Sequence, residues 1–458
     1  MNSIFKKQVI SEINMVELND VWLVDYARTA FSRSRPGQPA RDVFGEIRGD
    51  ELLVLLLKNM FENRLADKGI EKKDIDEFTV GSAFGVGEHW TYGGKFPTYF
   101  AEMDVKTSSV FVDKQCGSAA AGFNLGFLEI ATGYSECVLS TGLEHLTRVP
   151  MGIQNAWIKP NLSISTKDSP FYVPKFARKG EYDVLIATDM LSTAQKLFEE
   201  EIPRFTKEDM DKFGVRAHNL TIQSQKDGFF TSGVNGGEII PIEGHAEGNV
   251  EESMMVNRDM AARPSTLENV AKLRPVSKPH FIKKTAEGKD LGRQGYMDFV
   301  GSKDGVITAG NASPLNAGAT ACLLMDAKEA DKRGIKPLAK VISIGYAGVD
   351  PTVMGRGPVP ASKMALAHAG LTADDIDFWE INEAFCIVTL NCMDKLGIPE
   401  EKVNVMGGST AIGHPLGATM CRLIGTLARI LKHKNGKYGV ANACCGGGQG
   451  VAVVLENI

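Results

Sequence analysis

Gly69-Ile70-Glu71-Lys72-Lys73-Asp74-Ile75-Asp76-Glu77-Phe78 recurs 301 residues later as Gly370-Leu371-Thr372-Ala373-Asp374-Asp375-Ile376-Asp377-Phe378-Trp379. The register holds beyond the block, because Ala83-Phe84 falls on Ala384-Phe385. Upstream of each copy lies a helix-like stretch, 51–65 and 360–369. Further upstream lies a short strand-like run, Val21-Trp22-Leu23-Val24 and Val341-Ile342-Ser343-Ile344. The copies also end alike, since 306–325 and 438–455 both read as strand, glycine-containing turn, strand. Three kinds of block in the same order indicate an internal duplication. β-branched runs alternate with stretches of helical period such as 121–130, which predicts an α/β protein with a mostly parallel sheet. Two homologous halves would pack about a pseudo-two-fold axis, with a site built from strand-end loops between them.

Between the halves the texture changes. Residues 146–263 are rich in charge, carry Pro160, Pro170, Pro174 and Pro203, and hold few β-runs. Helices are expected at 190–201 and 216–229 in what reads as a large insertion covering the site. Lys175, Arg178, Lys179, Lys226 and Arg263 lie in it, with Lys272 and Arg274 just beyond. Most of them read as solvated surface, and two or three as phosphate contacts.

The bulk numbers bound the function. A chain of 458 residues, 43% hydrophobic and 23% charged, folds as two or three compact units and is neither fibrous nor disordered. Its 48 glycines imply many tight turns or close backbone approaches. A net charge of -5 argues against nucleic acid as the main partner, while an anionic small ligand needs only a local basic patch. No apolar run reaches the ~20 residues of a membrane span, none at the start looks like a secretory signal, and Glu456-Asn457-Ile458 is not a peroxisomal address. A cytoplasmic protein is expected. The eight cysteines show no disulfide spacing, and no Cys/His cluster suits a metal, so no metal site is expected.

Four motifs could carry chemistry. In Val112-Asp113-Lys114-Gln115-Cys116-Gly117-Ser118 a cysteine stands where a strand ends and a small-residue helix begins, a place where N–H donors and the helix dipole lower a thiol pKa. The bland alternative is a packed core cysteine. Gly407-Gly408-Ser409-Thr410-Ala411-Ile412-Gly413-His414-Pro415 holds an imidazole in a glycine-rich turn, suited to accept a thiol proton or simply to cap the turn. Cys444-Cys445-Gly446-Gly447-Gly448-Gln449-Gly450 can aim bare N–H groups at an oxyanion, or can be a tight turn beside a buried thiol. It lacks the Lys-Ser/Thr ending of a P-loop. In Ile381-Asn382-Glu383-Ala384-Phe385 the amide could fix a water or cap a helix.

Together, and in this order, the four motifs resemble the thiolase family. So do Ala27-Arg28-Thr29-Ala30-Phe31, Gly142-Leu143-Glu144, Leu273-Arg274-Pro275, Thr308-Ala309-Gly310-Asn311-Ala312-Ser313 and Met354-Gly355-Arg356-Gly357-Pro358. The likeness runs from about Val21 to the end. It implies a thiolase-like α/β fold, two duplicated halves in a layered αβαβα arrangement. The N-terminal half would be 1–145 with 316–337, the CoA-covering loop domain 146–315, and the C-terminal half 338–458. It further implies reversible thiolytic cleavage of 3-oxoacyl-CoA, or Claisen condensation of acetyl-CoA, through an acyl group on Cys116. By resemblance His414 takes the Cys116 proton, and Cys444 exchanges a proton with the α-carbon. Asn382 holds a water that completes the enolate site with the imidazole. The N–H groups of Cys116 and Gly446 receive the tetrahedral oxyanion. Ser313 would lie near the pantetheine, Met354 beside the acyl group and Arg263 near the adenosine phosphate. CoA and acyl-CoA enter as substrates, with no tightly bound cofactor, and a homodimer or homotetramer is implied. Two departures from the family pattern are Asn316-Ala317-Gly318-Ala319 and Met190-Leu191-Ser192-Thr193-Ala194-Gln195; the second leaves chain length open. A decarboxylating synthase on the same fold is disfavoured by the second cysteine, and an inactive scaffold subunit by the filled reactive positions.

Overall fold

The computed structural model describes residues 18–151, 183–232 and 236–458. Lys175, Arg178 and Lys179 lie outside these. The first half comprises β1 (Val21–Arg28), β2 (Ser32–Arg33), α1 (Gly49–Met60), β3 (Glu77–Gly81), β4 (Ser108–Val112), α2 (Ser118–Ala131), β5 (Cys137–His145) and, much later, β8 (Asn316–Asp326). The intervening segment carries α3 (Met190–Glu200), α4 (Lys207–Lys226) and a hairpin, β6 (Ile242–Ala246) with β7 (Asn249–Val256). The second half comprises β9 (Ala339–Gly348), α5 (Pro358–Ala369), β10 (Phe378–Ile381), α6 (Cys386–Leu396), α7 (Thr419–Lys434), β11 (Tyr438–Cys445) and β12 (Gln449–Glu456). The duplication therefore extends past the repeated block, because α2 and α7, and β5 and β11, begin at the same 301-residue offset.

The strand order is β10-β11-β12-β9-β1-β8-β5-β3-β4, with β2 added on β8. Each half contributes one arm, and the arms meet where Val21–Leu23 pairs with residues 339–341. Alternation along the strands decides which core each side chain enters. Leu139 and Leu323 face α1 with Leu52, Leu53 and Leu56. Their neighbours Val138 and Leu324 face inward, where Ala119, Ala120 and Phe123 of α2 meet Met420, Leu423 and Ile424 of α7. On the far side Val440 and Val454 pack under Ala361, Ala365, Ile387 and Val388. The layers run α1, sheet, α2 with α7, sheet, α5 with α6, which is the αβαβα arrangement expected. The central α7 is buried on every side from Thr419 to Leu431, as a helix between two sheets must be.

Two expectations are corrected. The sheet is mixed, not mostly parallel: among the described strands only β3–β4, β3–β5 and β10–β11 pair in parallel. Those strands are joined by helical crossovers, whereas β11 and β12 form a hairpin and β8 returns antiparallel between β1 and β5. Residues 306–315 are not a strand. Val306 and Ile307 satisfy their N–H groups on the side chains of Gln195 and Ser277, and Pro314 stands just before β8. Helix α4 starts at Lys207, earlier than expected, where Thr206 and Asp209 form a capping box. Among the described residues no helix is long and apolar enough to cross a membrane.

Helix α7 reaches β1 closely because residue 425 is a glycine. A Cβ there would fall on the ring of Tyr26, which is fully buried and cannot swing away. Gly425→Ala is expected to lower stability by about 1–3 kcal/mol through overpacking. Urea unfolding would detect this as a lower midpoint, and an unchanged midpoint would refute so tight a contact.

Candidate active site

Strand β4 ends at Val112, and the next five residues make the turn that presents Cys116. Asp113 Oδ1 accepts the Gln115 N–H at 2.8 Å, and Ser118 Oγ accepts from Lys114 N at 2.9 Å while donating to Gln115 O at 2.6 Å. Gln115 is held at φ 52°, a left-handed conformation costly for a side chain of its kind. The turn hands Cys116 to α2 with its sulfur against the start of β11's exit loop. The N–H of Gly446 and that of Cys116 itself both point at this sulfur.

The thiol does not have the low pKa expected at a helix start. Burial pushes it well up, the nearby Cys444 adds to this, and the two N–H groups only partly oppose it. Helix α2 begins at Ser118, past the sulfur, so desolvation outweighs the dipole. Cys116 therefore keeps its proton in the resting protein.

Cys444 and Cys445 are the last residues of β11, and alternation sends them to opposite faces. Cys444 enters the core containing Met354, Phe385 and Cys392, where burial pushes its thiol up to about 12. Cys445 enters the central core against α2 and takes a hydrogen bond from Gly117 N–H. Gly447 and Gly448 then turn the chain at φ 82° and 79°, and a Cβ on Gly448 would strike the backbone of Val349 and Pro351.

His414 precedes α7 as Cys116 precedes α2. The turns 115–117 and 416–418 touch, and the first also touches β11. Thr419 Oγ1 donates its single proton to Pro415 O at 2.8 Å, so at 2.7 Å from His414 Nδ1 it can only accept. This places the proton on Nδ1 and leaves a lone pair on Nε2. Asn382 Nδ2 lies 3.4 Å from that lone pair. Burial, helped by the positive Arg422, pulls the imidazole down to about 3. Asn382 does not cap a helix, since α6 starts at Cys386 after Phe385. Its Oδ1 accepts from Ser409 Oγ at 2.7 Å.

Several residues that hold this geometry were not assigned a part from sequence. Glu144 accepts from Ser82 Oγ, Ala83 N and Gly417 N, each at 2.9 Å, joining the loop after β3 to the turn that follows His414, and Gln115 Nε2 ties the Cys116 turn to the same loop through Ala83 O at 3.2 Å. Asn316 accepts the His414 N–H at 2.8 Å. Glu383 accepts from Asn404 and from Thr410 N, and a Cβ on Gly408 would collide with it. Arg422 donates to Ser409 Oγ at 2.6 Å and pairs with Glu380 at 2.8 Å, all three fully buried. A lone arginine between Met420 and Ile424, on an otherwise apolar stretch, was a readable signal, because a buried guanidinium demands a carboxylate.

The remaining candidates separate into two places. Met354 is buried in the same core as Cys444. Ser313 donates to Ala384 O at 3.1 Å, two residues from Asn382. It shares a cavity of about 330 Å³ with Arg263, Arg33, Arg35, Arg41 and Thr410. Among the described residues the one carboxylate paired with Arg35 and Arg41 is Glu247, at 3.9 Å, and the guanidinium of Arg33 is pushed down by burial and then by Arg35 and Arg263. Positive charge is in excess there. The arginines at 33, 35 and 41 lie outside any motif recognised in the sequence.

A family model for the thiolase N-terminal domain matches 21–285, and one for the thiolase C-terminal domain matches 335–457. The 3-ketoacyl-CoA thiolase of Marinobacter nauticus is 33% identical over 443 residues, covering 96% of this chain and 98% of its own. That of Escherichia coli (strain UTI89 / UPEC) is 32% identical over 446 residues, covering 96% and 100%. The crystal structure of human mitochondrial 3-ketoacyl-CoA thiolase superposes with a TM-score of 0.76 at 26% identity, covering 96% of this chain and 100% of that one. The same human enzyme in complex with CoA gives 0.74 at 27% identity, covering 97% and 99%. With both domain models matched along most of its length and full-length relatives of this kind, the chain belongs to the thiolase family.

Proposed function

We propose that this thiolase cleaves 3-oxoacyl-CoA by thiolysis, and condenses acyl-CoA in reverse, through an acyl group on Cys116. The observation that carries the reading is the meeting of the 115–117 turn, the 416–418 turn and the end of β11 around one sulfur. Cys116 attacks the 3-carbonyl and its proton passes to Nε2 of His414, the nitrogen left free by Thr419. The C2–C3 electron pair moves to the thioester oxygen. The new Nε2–H, with a water on Asn382, faces that oxygen, while Cys444 delivers a proton to the carbon. The Cys116 and Gly446 N–H groups receive the tetrahedral oxyanion, a contribution of roughly 3–4 kcal/mol per donor. The thiol of CoA then takes the acyl group; the proton held by His414 returns to Cys116, and the proton given up by the CoA thiol restores Cys444.

Further elements belong to the proposal. Residues 146–315 form the domain covering CoA, between halves at 1–145 with 316–337 and at 338–458. Ser313 lies along the pantetheine and Arg263 holds a CoA phosphate, supported by the positive excess of the cavity they share. Met354 borders the acyl group. The protein acts in the cytoplasm in fatty acid β-oxidation, as a homodimer or homotetramer. The edge of β4, unpaired among the described residues and bearing half-buried Val110, Phe111 and Val112, supports a second copy beside the nucleophile turn.

Incubation with acetyl-CoA is expected to add one acetyl group to the peptide bearing Cys116, and Cys116→Ser is expected to lose both the adduct and thiolysis. Full thiolysis by that variant, read by mass spectrometry and thioester absorbance, would overturn the assignment. The pH dependence follows from His414. Its folded value lies far below that of free imidazole, so the base stays neutral as pH falls. The rate of Cys116 acylation should be flat from about pH 8 to about pH 5. An acid limb near the ordinary histidine range of about 6.5 would count against a buried neutral base. Arg263→Gln is expected to raise KM for CoA about fivefold to tenfold at unchanged kcat. A KM equal to that of the parent would remove Arg263 from the CoA site.

A further inference from the structure

The hydrogen bonds around His414 form a directed chain whose two ends cannot be reversed. At one end Arg422, held by Glu380, can only donate, and it gives a hydrogen bond to Ser409 Oγ at 2.6 Å. Ser409 has one proton, and it goes to Asn382 Oδ1 at 2.7 Å. That bond fixes which way round the amide lies, so Nδ2 must be the atom facing His414 Nε2. At the other end Pro415 O can only accept; it takes the Thr419 proton, and Thr419 in turn takes Nδ1–H. Every side chain in the chain of bonds is fully buried except His414, which is 6% exposed. No water can substitute for a missing donor inside such a chain at low cost.

The amide is the weak point. Reversed, it would place Oδ1 against the Nε2 lone pair and would turn its acceptor, not its donor, toward the enolate site. Of its own bonds only the long contact of Nδ2 with Nε2, at 3.4 Å, opposes this, since its backbone N–H is spent on Asn442 O. The shorter bond from the Ser409 proton, at 2.7 Å and itself oriented by the charge of Arg422, is the stronger of the two contacts that distinguish the amide faces.

We infer that Ser409, charged with its direction by Arg422, is a positioning residue that sets the Asn382 amide for carbanion stabilisation. The inference rests on the thiolase reading above. It adds that the two half-reactions depend on Ser409 unequally. Acylation of Cys116 uses His414 Nε2 and the N–H groups of Cys116 and Gly446, none of which touches Ser409. Formation of the enolate uses the donor on Asn382, which does depend on it.

The test compares Ser409→Ala with the parent in both half-reactions. Exchange of the acetyl-CoA methyl protons into D2O, and 3-oxoacyl-CoA cleavage, should fall roughly tenfold to a hundredfold in kcat, with KM unchanged. Acylation of Cys116 from acetyl-CoA should change less than about threefold. The double variant Ser409→Ala/Asn382→Ala should be no slower than Asn382→Ala alone, because Ser409 acts through that amide. Ser409→Thr keeps the hydroxyl and should retain most exchange activity. If Ser409→Ala does not fold, Ser409→Cys carries the same cycle, its thiol being a weak donor. Parental exchange in the variant, equal loss of both half-reactions, or additive losses in the double variant would overturn the inference. A parent enzyme with no exchange and no acylation would overturn the thiolase reading instead.

Discussion

The site exists because two backbone turns can touch. The turn that carries Cys116 and the turn that follows His414 approach each other at the ends of α2 and α7, and the approach leaves no room for side chains. A Cβ on Gly417 would press on Ser82 and on the carbonyls of Gly81 and Leu143, and one on Gly142 would reach Gly417 O and Ala119. Bare backbone there lets Glu144 accept N–H groups from the loop after β3, whose Ala83 O takes a hydrogen bond from Gln115 beside Cys116, and from the turn that follows His414. A buried carboxylate shared between loops fixes their separation more firmly than apolar packing does, because each lost bond would leave a buried polar group unsatisfied. The helix pair, the sheet arms on either side and the loops they present all follow from keeping this junction closed.

The same closure sets the electrostatics. Cys116, Cys444 and His414 are all buried, and burial moves each toward its neutral form. A resting thiolate–imidazolium pair would need the charges desolvated before any substrate arrived. The neutral arrangement postpones that cost until the substrate's own oxygen can share the charge. It makes proton transfer part of bond formation, which suits a reaction whose difficult species is a carbanion. The fixed dipoles of Gly446 N–H and Cys116 N–H are already aimed, so they need not reorganise when charge develops.

Much of this was legible in the sequence, and the reasons differ between residues. The repeated block and its 301-residue offset reported the two halves because duplication preserves element order, and the observed α2/α7 and β5/β11 equivalence extends it. Cys116, His414 and Cys444 were visible as candidates because glycine- and small-residue flanks mark places where backbone must approach something, and Asn382 because its Asn-Glu-Ala-Phe box falls in the family's order. Strand direction was not legible. Antiparallel β8 is buried along its whole length on both faces, as a parallel strand would be, so its sequence does not report direction, and a strand that returns only after the whole inserted segment could not be placed between β1 and β5. The part of Ser409 was hidden because hydrogen-bond direction is a property of neighbours in space. The raised thiol of Cys116 was missed because a helix start argues for the dipole, whereas the full enclosure of the sulfur is set by Leu146, Val149 and Leu416 from other segments.

The duplication also explains how labour is divided. Under the offset that carries α2 onto α7, the residue equivalent to Cys116 is Gly417, and the repeated Ala83-Phe84 falls beside Asn382 as Ala384-Phe385. One copy of the ancestral turn keeps a nucleophile and the other keeps bare backbone that lets the first approach. The imidazole is placed three residues before that glycine, outside the repeated geometry, and is oriented by Thr419 from its own helix. Two identical turns could not serve, since two thiols facing each other would supply neither a base nor a space for the thioester. The pseudo-symmetric scaffold thus provides proximity, and its departures from symmetry, at Gly417, His414 and Ser409, provide direction to the proton.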